Sequence, residues 1–268
     1  MGWRALILLG GLLAMATSVR GAAQEPVQLY AAGSLRVALT EVATAFEKQE
    51  GIPVEKEFGA SGLLRERIEK GDRAEVFASA DMGHPQTLNK AGRSGPVVMF
   101  TRNRLCALAA PEISVTSASL LDVLLDQKVR VGSSTPKNDP SGDYTWAMFE
   151  KAEKLRSGAY AALSAKALKL VGGADAPPPP KDRSVYTMLM AEKKADVFLT
   201  YCTNAILAAH ESPGLKVVQL PEALAVGADY GMTVLNGASD GASKLARFIL
   251  SATGQQILMR HGFSSPNP

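Results

Sequence analysis

From Val27 onward the hydrophobic and polar positions switch repeatedly between two periods. "VQLYAA" (Val27–Ala32) is a compact apolar run of strand type. Leu35, Leu39, Val42 and Phe46 follow at spacings of four, three and four, which sets one apolar face of a helix. Gly51 stops that helix, and "IPVEKEF" (Ile52–Phe58) alternates as a second strand. "SGLLRERIEKG" predicts a short helix closed by Gly71, and "AEVFASA" (Ala74–Ala80) a third strand. Such close alternation predicts α/β architecture with mainly parallel sheets.

The helix signal after Asp81 is short, and "GPVVMFTRNRLCALAA" (Gly95–Ala110) then reads as a long strand-rich stretch. A second α/β series follows: "SLLDVLLD" as helix, "KVRVGSS" as strand, and "YTWAMFEKAEKL" and "AALSAKALKLV" as helices. "APPPPKDR" (Ala176–Arg183) is an extended connector. "SVYTMLMAEKK" is a helix leading into the apolar strand "ADVFLTY" (Ala195–Tyr201). Two strand-like runs in "LKVVQLPEALAVGADYGMTVLNG" and one closing amphipathic helix, "SKLARFILSATGQQILMRHG", complete the chain. A long strand near Asn103, a second series and then a return predict two lobes crossed twice by the chain. Residues 24–103 and 221–268 form the first lobe in this reading, and 104–220 the second.

The first 23 residues change the picture. A positive start at Met1–Arg4, an apolar run at Ala5–Ala16 and small residues near Gly21–Ala23 have the order of a cleaved signal peptide. The remainder is expected to be exported, soluble and monomeric, and periplasmic in a Gram-negative source. A hydrophobic content of 46% is ordinary for a globular chain, and the net charge of +3 is scattered rather than laid out as a nucleic-acid track. Cys106 and Cys202 are the only cysteines. Each follows an apolar run, so a disulfide and two buried thiols are both open readings.

Candidate chemistry concentrates at strand-to-helix corners. "LYAAGSL" and "FGASGLL" each place a serine, Ser34 and Ser61, among small residues where a strand ends and a helix opens. "NDPSGDY" opens a helix around Ser141, and "DRSVYTML" another at Ser184–Val185. A serine there is either an N-cap or a ligand donor. Capping satisfies the first turn of its own helix. Corners that converge would instead offer hydroxyls and exposed N–H groups to an anion.

"AAGSLRVALTEVATAFEKQEG", "FGASGLL", "EVFASAD", "ADVFLTYCTNA" and "ILSATGQQILMRHGF" occur in this order over nearly the whole exported chain. In this the sequence resembles the periplasmic molybdate-binding proteins of ABC importers. The resemblance implies a two-lobed, Venus-flytrap fold that closes on a tetrahedral oxyanion, molybdate or tungstate. It also implies no cofactor, and delivery to a membrane permease driven by a separate ATPase. By the same resemblance Ser34 and Ser61 would offer hydroxyl and backbone N–H, Ser141 and Val185 backbone N–H, and Tyr201 its hydroxyl. Without it, a tyrosine ending an apolar strand reads first as a core residue with a satisfied hydroxyl.

This chain departs from the relatives at "DPSGDY", where Asp139 and Asp143 bracket Ser141. The carboxylates either stabilise the first helical turn or face the pocket, where they would repel a dianion or demand a different solute such as a small organic acid. A secreted sensor that hands its ligand to a receptor is a further alternative. Enzymatic patterns are absent. His84, His210 and His261 have no metal-ligand spacing, "GASG" is not a nucleophile elbow, and Ser134 and Lys137 form an S-x-x-K pattern broken by Pro136.

Overall fold

The computed structural model describes residues 25–176, 180 and 183–266; the expected signal peptide and most of the proline loop lie outside the described residues. β1 (Val27–Ala32) passes through one 3-10 turn (Gly33–Leu35) into α1 (Arg36–Glu50). β2 (Val54–Gly59), α2 (Ser61–Glu69), β3 (Val76–Ala78) and α3 (Gly83–Lys90) complete the first series. β4 (Val98–Ala109) leads to α4 (Leu120–Leu125), β5 (Val131–Ser134), α5 (Pro140–Leu155), α6 (Ala159–Lys166) and β6 (Leu168–Val171). Next come α7 (Val185–Ala191), β7 (Val197–Tyr201), α8 (Cys202–Glu211) and β8 (Lys216–Gln219). β9 (Gly227–Val234), α9 (Asp240–Leu250) and α10 (Ala252–Arg260) close the chain.

The strands run in the order β2-β1-β3-β9-β4-β7-β5-β6, with β8 also paired to β4. β1 is parallel to β2 and β3, and β5 is parallel to β6 and β7. β4 belongs to both lobes. Its Val98–Arg104 half pairs antiparallel with β9, and its Leu105–Ala109 half pairs antiparallel with β7 and β8. The chain thus crosses between sheets inside one strand and returns between β8 and β9. Each lobe has its own core. Leu29, Leu39, Phe46, Phe248 and Ile257 anchor the first. In the second, Leu105, Ala107 and Leu199 pack on one face of the sheet while Cys106, Leu108 and Phe198 pack on the other. Burial on both faces explains why "LCALA" and "VFLTY" are continuous apolar runs.

Two expected helices differ. "AALSAKALKLV" divides into α6 and the edge strand β6, because Gly132 and Ser133 of β5 pair with Leu168 and Lys169. The closing helix breaks at Ser251, whose Oγ accepts the Gly254 N–H at 3.3 Å and starts α10 as a separate helix. The cysteine alternatives resolve as well: Cys106 and Cys202 form a disulfide that ties β4 to the start of α8.

Candidate functional site

The two serine corners carry different bonds from the helix caps of this protein. Ser184, Ser239 and Ser251 are caps, accepting N–H groups of Tyr186, Ala242 and Gly254 at 3.2–3.3 Å. Neither α1 nor α2 has a side-chain cap. Ser61 is the first residue of α2, and its Oγ accepts the Ala80 N–H at 3.1 Å. Ser34 lies in the 3-10 turn, and its Oγ shares a hydrogen bond with Tyr230 Oη at 3.0 Å. From there a chain of bonds reaches the second lobe: Asn103 Nδ2 donates to Tyr230 Oη at 3.3 Å and to Thr203 Oγ1 at 2.9 Å. Asn103 and Tyr230 were not singled out from the sequence. An amide immediately before the lobe crossing and a tyrosine in an apolar strand are their only signals.

The corners open into a cleft of about 780 Å³ whose walls include Ser34, Ser61, Ala80, Asp139, Val185 and Tyr201. Four of the five expected residues therefore meet there. The lobes touch beside it. Tyr201 Oη donates to Ala80 O at 3.2 Å, and the Gly62 N–H donates to Asn138 O at 2.8 Å. Gly62 is required at this contact, since a Cβ would stand 2.5 Å from Lys137 O and 2.7 Å from Asn138 O. Burial, then the neighbouring Tyr230, keeps the Tyr201 hydroxyl well above its ordinary titration range, so it is a neutral donor.

Ser141 is placed differently from the expected ligand donor. Its N–H is taken by Asp139 Oδ1 at 3.0 Å, and its Oγ is buried with no hydrogen-bond partner among the described residues. It is not among the residues of the cleft wall. Asp139, the N-cap of α5, is on that wall, with the Gly172 backbone (φ 74°) against its carboxyl. A Cβ on Gly172 would come within 2.7 Å of Asp139 Oδ2. Burial pushes the Asp139 carboxyl up to about 6; the Ser141 N–H opposes the shift and the Asp143 charge adds to it. Asp143 turns aside, its Oδ1 accepting the Lys137 N–H at 2.9 Å. Arg36, also on the wall, lies over the Phe58 ring, 5.0 Å from its centroid.

Two α/β lobes joined through a shared strand, with hydroxyls of both facing one cleft, define a two-lobed binding protein. Residues 27–264 match the family of bacterial extracellular solute-binding proteins, and the chain belongs to that family. It is 35% identical over 247 residues to an uncharacterized protein of Pasteurella multocida, covering 90% of this chain and 99% of that relative. It is 26% identical over 267 residues to the molybdate-binding protein ModA of Escherichia coli, covering 95% of each. The periplasmic molybdate-binding protein of Azotobacter vinelandii superposes with a TM-score of 0.73 at 18% identity, covering 90% of this chain and 100% of that one.

Proposed function

We propose that this is the exported, periplasmic solute-binding component of an ABC importer, and that its cleft holds an anion with a tetrahedral oxyanion group. One observation carries the reading. Ser34 and Ser61 sit at helix starts without capping them, and they face Val185 and Tyr201 across one cleft. Hydroxyls and amides at helix starts bind anions without a counter-charge. Molybdate or tungstate is the free-oxyanion form of this reading, supported by the molybdate-binding relatives. Solute that touches both lobes favours the closed arrangement over an open one, and that differential affinity drives closure. The Tyr201 hydroxyl has a single proton, so engaging a solute as donor means redirecting it from Ala80 O. A closed, loaded protein would then dock on a permease served by a separate ATPase.

A second reading has its own observation. The cleft volume lies in the range that takes a small organic molecule, and Asp139 offers an acceptor a bare oxyanion does not use. An organic acid or phosphorylated solute would use both. Titration calorimetry with molybdate, tungstate, sulfate and phosphate tests the first reading, for which micromolar or tighter binding of at least one is expected. No heat from any of the four, with a thermal shift from an organic acid instead, would overturn it in favour of the second.

A further inference from the structure

The resident carboxylate at the start of α5 has a consequence for what the cleft accepts. The Asp139 side chain accepts the Ser141 N–H at the start of α5, and Asp139 is part of the cleft wall. Among the described residues no cationic partner contributes to its shift. Among the described residues the titratable groups whose charges act with it are Asp143 on its own helix, Tyr186 of α7 and Tyr201 of β7, while Arg36, Arg183, His210, Glu211, Arg260 and His261 line the same cleft. Both tyrosines are held neutral, chiefly by burial. The Ser134 hydroxyl of β5 favours the ionised carboxyl, against the larger effect of burial, and the Gly172 backbone lies against it. Among the described residues Ser141 Oγ is buried without a hydrogen-bond partner, so this end of α5 is polar yet incompletely bonded.

An anion held by Ser34, Ser61 and Tyr201 shares this cleft with the Asp139 carboxyl. A like charge brought into the same cleft disfavours the ionised form of a buried carboxyl still further. We propose that the loaded cleft holds one proton between Asp139 and the bound anion. Asp139 takes it from solvent when the solute arrives without one, and accepts a hydrogen bond from a solute that brings its own O–H. The balance is simple: carboxylate plus one proton gives the acid, whose O–H donates to a solute oxygen, and the proton returns to solvent on release. Asp139 is then a specificity-determining residue. At neutral pH it favours hydrogen phosphate or a hydroxylated anion over proton-free molybdate or sulfate. The carboxyl titrates near 6 before any solute enters, so the uptake is within reach of ordinary conditions. This rests on the cleft being an anion site, as proposed above.

Calorimetry of the purified protein with molybdate, sulfate and phosphate, from pH 5.5 to 8.5 in buffers of differing ionisation heat, tests it. Uptake is expected to be a minor fraction of a proton per molybdate or sulfate at pH 5.5 and to approach one above pH 7, where affinity falls about tenfold per pH unit. Asp139→Asn keeps an acceptor for the Ser141 N–H, so α5 stays capped. The variant should bind the proton-free anions at pH 8 at least about tenfold more tightly than wild type, without proton uptake. Phosphate binding without the other two, lost in Asp139→Asn, equally supports the acceptor role. Molybdate or sulfate binding with no pH slope and no proton uptake overturns the proposal while leaving the anion reading intact. So does phosphate binding that Asp139→Asn leaves unchanged. Silence from all three anions at every pH would instead remove the anion reading on which the proposal stands.

Discussion

Replacing Ser61 with alanine removes a hydroxyl from the cleft and also the acceptor of the buried Ala80 N–H. Ser61→Ala should therefore lower stability by about 1–3 kcal/mol in urea unfolding and weaken anion binding by about fivefold or more. Ser34→Ala should separate the two effects. Tyr230 Oη keeps the Asn103 donor, so stability should fall by less than about 1 kcal/mol while affinity falls as before. Stability loss in both variants at unchanged affinity would make these serines structural only. Asp139 gives a prediction of opposite sign to an ordinary ion pair. Its folded-state carboxyl titrates near 6 against 3.8 for the free group, so the native state binds more protons between those values. The contribution of Asp139 to stability is favourable below about 4 and lost as pH rises through 6. Asp139→Asn should gain about 1–3 kcal/mol over wild type at pH 7–8 and little at pH 4, read from paired urea curves. The sequence marked Asp139 as the departure from its relatives but left its direction open. Direction depends on the Ser141 N–H drawing the carboxyl over the helix start and on Gly172 lying against it, and "DPSGDY" encodes neither alone.

At the scale of the element, α2 carries the contact between lobes. Alanine is a better helix former than glycine by about 0.5–1 kcal/mol, so Gly62→Ala should leave the helix intact. Its Cβ cannot share space with Lys137 O and Asn138 O, so the lobes must separate at that edge. Anion affinity should fall at least about tenfold, with a larger radius of gyration in small-angle scattering, as closure becomes unfavourable. Unchanged affinity would show that the contact has no part in closure. Most elements were legible because their apolar period stays constant from end to end, as in α1. β6 was not, because the short apolar run "ALKLV" directly continues a helical face, and only pairing with β5 decides it. The α9–α10 break had a local signal in Ser251, but the apolar face runs across the break and hides it.

At the scale of the whole molecule, the disulfide is a long-range tie whose pairing the sequence left open. Apolar runs put both cysteines inside; the antiparallel register of β4 against β7 brings them together. The link spans 96 positions and ends one residue beyond Tyr201. Cys106→Ala/Cys202→Ala should cost about 2–5 kcal/mol in urea unfolding. The double variant should also weaken anion binding, because the start of α8 loses its tether to β4.

The place of β9 in the first sheet has a further meaning for how the chain is assembled. It lies between β3 and β4, yet it is the last strand in sequence. Until the segment after Gly227 is available, β3 and the first half of β4 have open edges, and the first core lacks Phe248 and Ile257. The strands of the second sheet, by contrast, are all present once β8 is made. On a ribosome, or threading through a pore from its N-terminus, the chain would thus finish its later lobe before its earlier one. The exposed edge of β3 would be the part in need of a chaperone.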